Sequence, residues 1–206
     1  MNKTGGFSIL VIVLVVATVL GGGFLLLYNN LVDGRERVNA GWAQVENVYQ
    51  RRLDLVPVLI DAVKTYMEHE RDTLTELTTA RARAIELGGM IGGRAPQTVE
   101  QLRAVEASQG AVESALARLF AVVENYPDLK ASRNFLTLQD QIEGTENRIT
   151  VERRNYNEFA RRYNTGIQKF PGNIVADILG FTSKPYFEAT PAALQGLKDP
   201  FGRQGG

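Results

Sequence analysis

FSILVIVLVVATVLGGGFLLLY, Phe7 to Tyr28, is the centre of an uncharged run that extends from Thr4 to Val32. A bilayer core about 30 Å thick needs roughly 20 apolar residues in a helix to cross it, and this run has that length without a charged side chain. It reads as a membrane span, and the rest of the chain lives wherever that span places it. A cleaved signal peptide would have an apolar core of about 7–15 residues and a small-residue cleavage site. This run is longer and lacks an A-x-A pattern near its end. We therefore read a short leader over 1–6 and an uncleaved transmembrane helix over 7–30. Gly21, Gly22 and Gly23 weaken that helix but let neighbouring spans approach closely. They serve either as a span-packing face or as a flexible point, and a strict G-x-x-x-G spacing is absent.

The flanking charges do not choose a side. Lys3 precedes the run, Arg35 and Arg37 follow it, and Arg51 and Arg52 lie at the edge of the window in which positive charge counts. A short Lys-bearing leader running straight into the apolar stretch has the form of a signal anchor. That form leaves the amino end in the cytoplasm and the remainder on the periplasmic or extracytoplasmic side of a bacterial inner membrane, as a single-pass protein.

Beyond the anchor lie about 170 residues, the length of one domain with a substantial core. The 23 basic and 23 acidic residues balance, so no global field draws the chain to nucleic acid. The absence of cysteine rules out disulfides, thiolate metal sites and cysteine nucleophiles, and one histidine makes an imidazole metal site or a Ser-His-Asp triad a poor expectation. No catalytic residue, cofactor, metal or small-molecule substrate is expected.

The patterning outside the span is helical throughout. Val38, Trp42, Val45, Tyr49, Val56, Leu59, Ile60, Val63, Met67, Leu74 and Leu77 recur near three-four spacing. This predicts one long amphipathic helix, or two in line, over about 31–87, with a kink or break near Asp54 caused by Pro57. The pattern starts at Leu31 almost without interruption, so span and first bundle helix can form one rod. GGMIGGRAP, Gly88 to Pro96, is expected to be a loop. Gln97 or Thr98 then opens a helix over 97–126 with an alternating seam interrupted by Gln109. A third helix, 128–170, carries Phe135, Ile142, Ile149, Tyr156, Tyr163 and Phe170 at steps of seven, with Leu138, Thr145, Glu152, Phe159 and Gly166 at the second seam position. A sustained seven-residue repeat predicts winding in a left-handed bundle or a coiled coil between copies. Asn173 is placed to cap a short fourth helix, 173–179, closed by Gly180. The prediction is all-α: a transmembrane helix, then an antiparallel bundle of three long helices plus a short fourth over 31–187, packed by tail aromatics such as Phe187. Residues 188–206 are expected to form a flexible tail.

Three clusters invite a functional reading. His69 sits between Glu68 and Glu70, but the H-E-x-x-H spacing is missing, so a solvated helix surface is preferred. Arg51, Arg52 and Asp54 pair within a turn or clamp a partner's carboxylate, and Asp54 can serve backbone groups freed by Pro57. In RRNYNEFARRYN, Tyr156-Asn157 and Tyr163-Asn164 lie one heptad apart. The tyrosines read as seam residues with hydroxyls reaching a partner or water. Arg153, Arg154, Asn157, Arg161, Arg162 and Asn164 form a candidate partner face for an acidic protein or a lipid phosphate, diluted by Glu152 and Glu158.

Together, YNxLV at Tyr28–Val32, Trp42, RRLDLVPVLIDAVKTYMEHE at Arg51–Glu70, Ala80-Arg81, ENYPDLKASRNFLTLQDQIEGTENRI at Glu124–Ile149, the RRNYNEF and RRYN pair, and FPGNIVADILGF resemble the LemA family. The likeness covers nearly the whole chain to about Glu188. Val58 departs from the asparagine usual after the family's proline. The resemblance implies a helical bundle tethered by an N-terminal span and a similarity to magnetosome proteins of the MamQ type, linked to membrane biogenesis, with no established catalytic residues. The expected role is a self-associating scaffold that organises or remodels the inner membrane. Its alternative is a monomeric adaptor or sensor that binds another envelope protein.

Overall fold

In the computed structural model the described residues are 3–188. The structure comprises α1 (Lys3–Val63), α2 (Arg71–Ile91), α3 (Val99–Val123), α4 (Pro127–Lys130), α5 (Arg133–Gln168) and α6 (Gly172–Leu179), and no strand occurs among the described residues. The expected flexible tail, 188–206, lies outside them except for Glu188, which is described and exposed. α1 is a single helix of 61 residues, about 90 Å long at 1.5 Å per residue. No side chain from Leu10 to Asn30 is buried. Burial begins at Leu31 and returns at Val38, Trp42, Val45, Tyr49, Leu53, Val56, Leu59 and Val63, the three-four stripe of a helix with one wet face. The apolar N-terminal stretch and the first bundle helix are one rod.

Pro57 does not break it. Proline at this position removes the N–H that would serve the carbonyl four residues earlier, which is that of Leu53. Arg81 on α2 supplies the missing donor, its Nε lying 2.8 Å from Leu53 O. The expected break near Asp54 is therefore displaced to residues 64–70, a succession of turns between α1 and α2. The stretch 31–87 accordingly is neither one helix nor two in line. α2 folds back along α1, so that Arg81 stands beside Leu53.

Two further boundaries differ from expectation. α2 runs through Gly88 and Gly89 to Ile91 and ends on Gly92, whose φ of 68° is the left-handed cap that glycine adopts without penalty. Two helical glycines cost about 1 kcal/mol each, and the packing of Leu87 and Ile91 against the Trp42 cluster offsets that loss. The expected third helix starts late: Pro127 opens only the single turn α4, which buries Leu129, and Ser132 leaves helical geometry with ψ 123° before α5 begins. α3 begins after Thr98, whose hydroxyl accepts from Gln101 N while Gln101 Oε1 accepts from Gln97 N, a reciprocal cap.

Contacts at successive levels fix the directions: Glu70 lies beside Tyr126 where Glu76 lies beside Arg118, and Trp42 packs on Tyr156 where Arg52 reaches Glu146. With Glu106 meeting Arg153, the C-terminal half of α1, α2, α3 and α5 alternate in direction as an up-down bundle. α1 packs most extensively on α5 and α2 on α3. The core divides in two. A span-side cluster joins Leu31, Trp42, Leu102, Tyr156 and Val175, and a distal cluster joins Leu59, Met67, Leu77, Leu119 and Phe135.

Candidate functional site

Between the two clusters lies a polar layer. Arg52 is 2% exposed. Its Nη1 donates to Glu146 Oε1 at 2.8 Å and Oε2 at 3.0 Å, and its Nη2 donates to Gln109 Oε1 at 2.5 Å and Gln109 O at 3.0 Å. Its guanidinium stands over the Tyr49 ring at 5.7 Å, and its Nε has no partner. Arg52 thus clamps a carboxylate of its own chain. Gln109, an interruption of the seam in sequence, is the residue that completes the clamp. Burial pushes the Tyr49 hydroxyl up to about 12, with Arg153 and Arg52 opposing the shift. Asp54 accepts from Gln50 Nε2 and does not serve the backbone near Pro57, because Arg81 already does. Arg51 is exposed.

The second arrangement is a clasp on α5. Asn164 Oδ1 accepts from Lys184 N at 2.8 Å and its Nδ2 donates to Lys184 O at 2.8 Å. Asn157 does the same for Phe187, at 2.9 Å in both directions. Between them the Tyr156 hydroxyl donates to Pro185 O at 3.1 Å. The spacing has a simple reason. Seven helical residues rise about 10.5 Å, and three extended residues cover about 10 Å. Two asparagines one heptad apart therefore satisfy both backbone groups of extended residues 184 and 187, with the segment running antiparallel to α5. Phe187 is buried between the Trp42 ring, 6.1 Å away, and the Tyr156 ring, 5.4 Å away, with the Arg153 guanidinium over it at 4.4 Å.

This geometry corrects the candidate partner face. Asn157 and Asn164 are occupied by the chain's own segment, and Arg153 by Glu106 and Phe187. Arg161 and Arg162 both pair with Glu158, which holds that carboxyl down at about 2. Only Arg154 of the six is exposed without an ion pair among the described residues. Burial raises the Glu106 carboxyl above its ordinary range, with Arg153 opposing the shift. Lys184 is buried, donates its Nζ to Gln97 Oε1, and is shifted down, first by burial and then by Arg35. Phe187 packs on the bundle as its aromatic character led us to expect, whereas Gln97 and Lys184 are site residues that periodicity could not find, because neither lies on a repeating face. The heptad-spaced Tyr-Asn pair was the available signal.

Phe135, Ile142, Ile149, Tyr156 and Tyr163 are all at most 5% exposed and face helices of the same chain. Phe170 leaves the seam: α5 ends at Gln168, and Phe170 is 80% exposed. Polar seam residue Thr145 is satisfied by its own helix through Gln141 O, and Glu152 accepts from Asn155. Gly21, Gly22 and Gly23 lie within unbroken α1, with open space where side chains would begin. His69 and Glu68 are exposed in the turns before α2, not on a helix. Asn173 does not cap α6, whose cap position is Pro171, and its Oδ1 is buried without a partner. Among the described residues no three acidic or histidine side chains stand close enough to hold a metal ion.

A third feature is a pocket of about 310 Å³ where the bundle meets the apolar half of α1, lined by Leu27, Arg37, Tyr163, Lys169 and Phe170 among others.

Comparisons with known proteins agree with the architecture. Residues 41–198 match the LemA family. Magnetosome proteins MamQ 2 and MamQ 1 of Paramagnetospirillum magneticum are each 30% identical to this chain over 199 residues, covering 90% of it and 71% of their own length. Protein LemA of Metamycoplasma hominis is 26% identical over 162 residues, covering 79% of this chain and 69% of its own. With one helix long and apolar enough to cross a membrane and a helical bundle continuous with it, this membrane-associated chain belongs to the LemA family.

Proposed function

We propose that this chain is a non-catalytic, single-pass scaffold of the bacterial inner membrane that self-associates and organises or remodels the bilayer. The observation that carries this reading is the unbroken α1: one helix serves as both span and core helix of the bundle, so forces and registers set among spans pass directly into the domain. The open row at Gly21–Gly23 supports close span-to-span packing, and relatives named as magnetosome proteins support a role at a membrane. The lipid bilayer is the first partner and further copies are the second. The bundle lies on the extracytoplasmic side. Light scattering of the full chain in detergent tests the proposal; several copies per particle are expected, and a strictly monomeric protein overturns it.

The monomeric adaptor reading gains one specific observation. The heptad residues of α5 are consumed inside the bundle, which removes that seam as a route between copies. Crosslinking in cells separates the readings: self-products are expected of a scaffold, a distinct envelope protein of an adaptor.

A further inference from the structure

Four apolar side chains near the end of the folded segment have no cover. Phe170 is 80% exposed, Ile174 49%, Ile178 67% and Leu179 43%. Scattered apolar residues on a surface need no explanation, but these fall within ten residues, and Ile174 and Ile178 stand one turn apart on one face of α6. α6 is docked by its opposite face: Val175 and Ala176 are buried in the cluster that contains Leu31, with Leu27 packed against it. Gly172 holds this end tight, since a Cβ there would meet Gly166 O at 2.3 Å. α6 is thus pinned at the level where α1 passes from exposed apolar residues into the bundle.

That level carries the marks of a membrane interface. Tyr28 closes the apolar run and makes an edge contact with Phe181, 6.2 Å between ring centres, and Arg35 stands over the same Phe181 ring at 5.3 Å. Tyrosine is favoured at headgroup depth, and basic side chains just above it. Arg37 and Lys169, neither in an ion pair among the described residues, line the adjoining pocket with Phe170. Asp33 lines it too, leaving an excess of positive charge there.

We infer that the span-side end of the bundle rests in the bilayer: Phe170 and the outer face of α6, Ile174 and Ile178, sink into the interface beside α1, while Arg37 and Lys169 meet lipid phosphates. The occupant is the lipid surface because Phe170 shares a pocket with Leu27 of the exposed apolar stretch of α1, and α6 is docked where that stretch ends, in the cluster of Leu31. Asp177 on the exposed side of α6 limits the depth to the headgroup boundary, as for other helices lying in the interface plane. The span then anchors and the foot fixes the tilt of the bundle.

This inference rests on α1 being a span, and one experiment keeps the two claims apart. The chain has no cysteine, so Ile178→Cys, Val19→Cys and Thr137→Cys can each carry a single fluorophore in the full-length protein. Each variant is reconstituted into phosphatidylcholine–phosphatidylglycerol vesicles with acyl chains brominated both near the glycerol and near the chain end, so that interfacial and mid-bilayer labels each meet a quencher, and circular dichroism confirms the fold. The label at Val19 reports the span and that at Thr137, exposed at the start of α5, reports solvent. Lipid quenching at residue 178 close to that at residue 19 is the expected result. Quenching at 178 no greater than at 137, with 19 quenched, overturns the inference and leaves the span intact. Label-to-label energy transfer at 178 in place of lipid quenching means that a second copy covers the face, and overturns it as well. Failure of quenching at 19 removes the span itself.

Discussion

Arg52 concentrates the electrostatics of the bundle in one side chain, and its surroundings decide what substitution does. A buried charge that loses its partner costs about 3–5 kcal/mol, but the Glu146 side chain is 33% exposed and water can partly replace it. Glu146→Ala should therefore destabilise the bundle by about 2 kcal/mol, read as a lower urea midpoint. Replacing Arg52 and Gln109 together by Met and Leu should recover most of that loss, because no charge then remains to be satisfied. Tyr49 gives a pH signature. Its folded value, about 12, lies above the ordinary 10, so between those values the folded state holds a proton that the unfolded state has released. Stability is full below about pH 10 and falls as pH rises through about 12. Tyr49→Phe should reduce that loss in urea titrations repeated from neutral to alkaline pH, with Tyr156 and Tyr163, also raised by burial, carrying the remainder; an unchanged slope would remove Tyr49 as a source.

At the level of elements, two junctions carry the architecture. The first is α1 to α2, where Arg81 serves the Leu53 carbonyl that Pro57 leaves without a donor. Arg81→Ala should cost about 1–3 kcal/mol, the penalty of an unsatisfied and partly buried carbonyl. The same change in a Pro57→Ala background should cost much less, since the restored N–H takes over. A double-mutant cycle showing simple additivity would refute the account. The second junction is α5 to the segment 181–188. Phe187→Ala removes an aromatic side chain packed against Trp42 and should cost about 3–5 kcal/mol. It should also shift Trp42 emission to the red and expose the segment to protease. Asn164→Leu keeps the volume but leaves the backbone of Lys184 unpaired, so it should free the segment while altering Trp42 less.

On the scale of the molecule, the rod divides functionally near Leu31. Burial starts there, and both clusters lie on its far side. A fragment covering 27–188 should therefore unfold cooperatively by circular dichroism with Trp42 still buried, because it loses no core residue. A fragment lacking a cooperative transition would mean that the span contributes to the fold.

The sequence by itself determined the long apolar N-terminal helix, the all-helical class, the stripe of α1 and the heptad of α5, because each is a composition or a periodicity written into neighbouring residues. It also supplied Gln97 or Thr98 as a helix start and Gly180 as a stop, which depend on one turn of chain; that Thr98 is the cap came from the structure. Tertiary structure alone decided where α1 ends, since a carbonyl orphaned by Pro57 finds its donor 28 residues away on Arg81. It carried α2 through two glycines by packing Leu87 and Ile91, and it turned Arg52 and the paired asparagines inward, to Glu146 and to residues 184 and 187. In the apolar run at Phe7–Tyr28 nothing but length and lack of charge had to be read. Buried polar groups must instead find partners wherever the fold brings them, and no local pattern encodes that meeting.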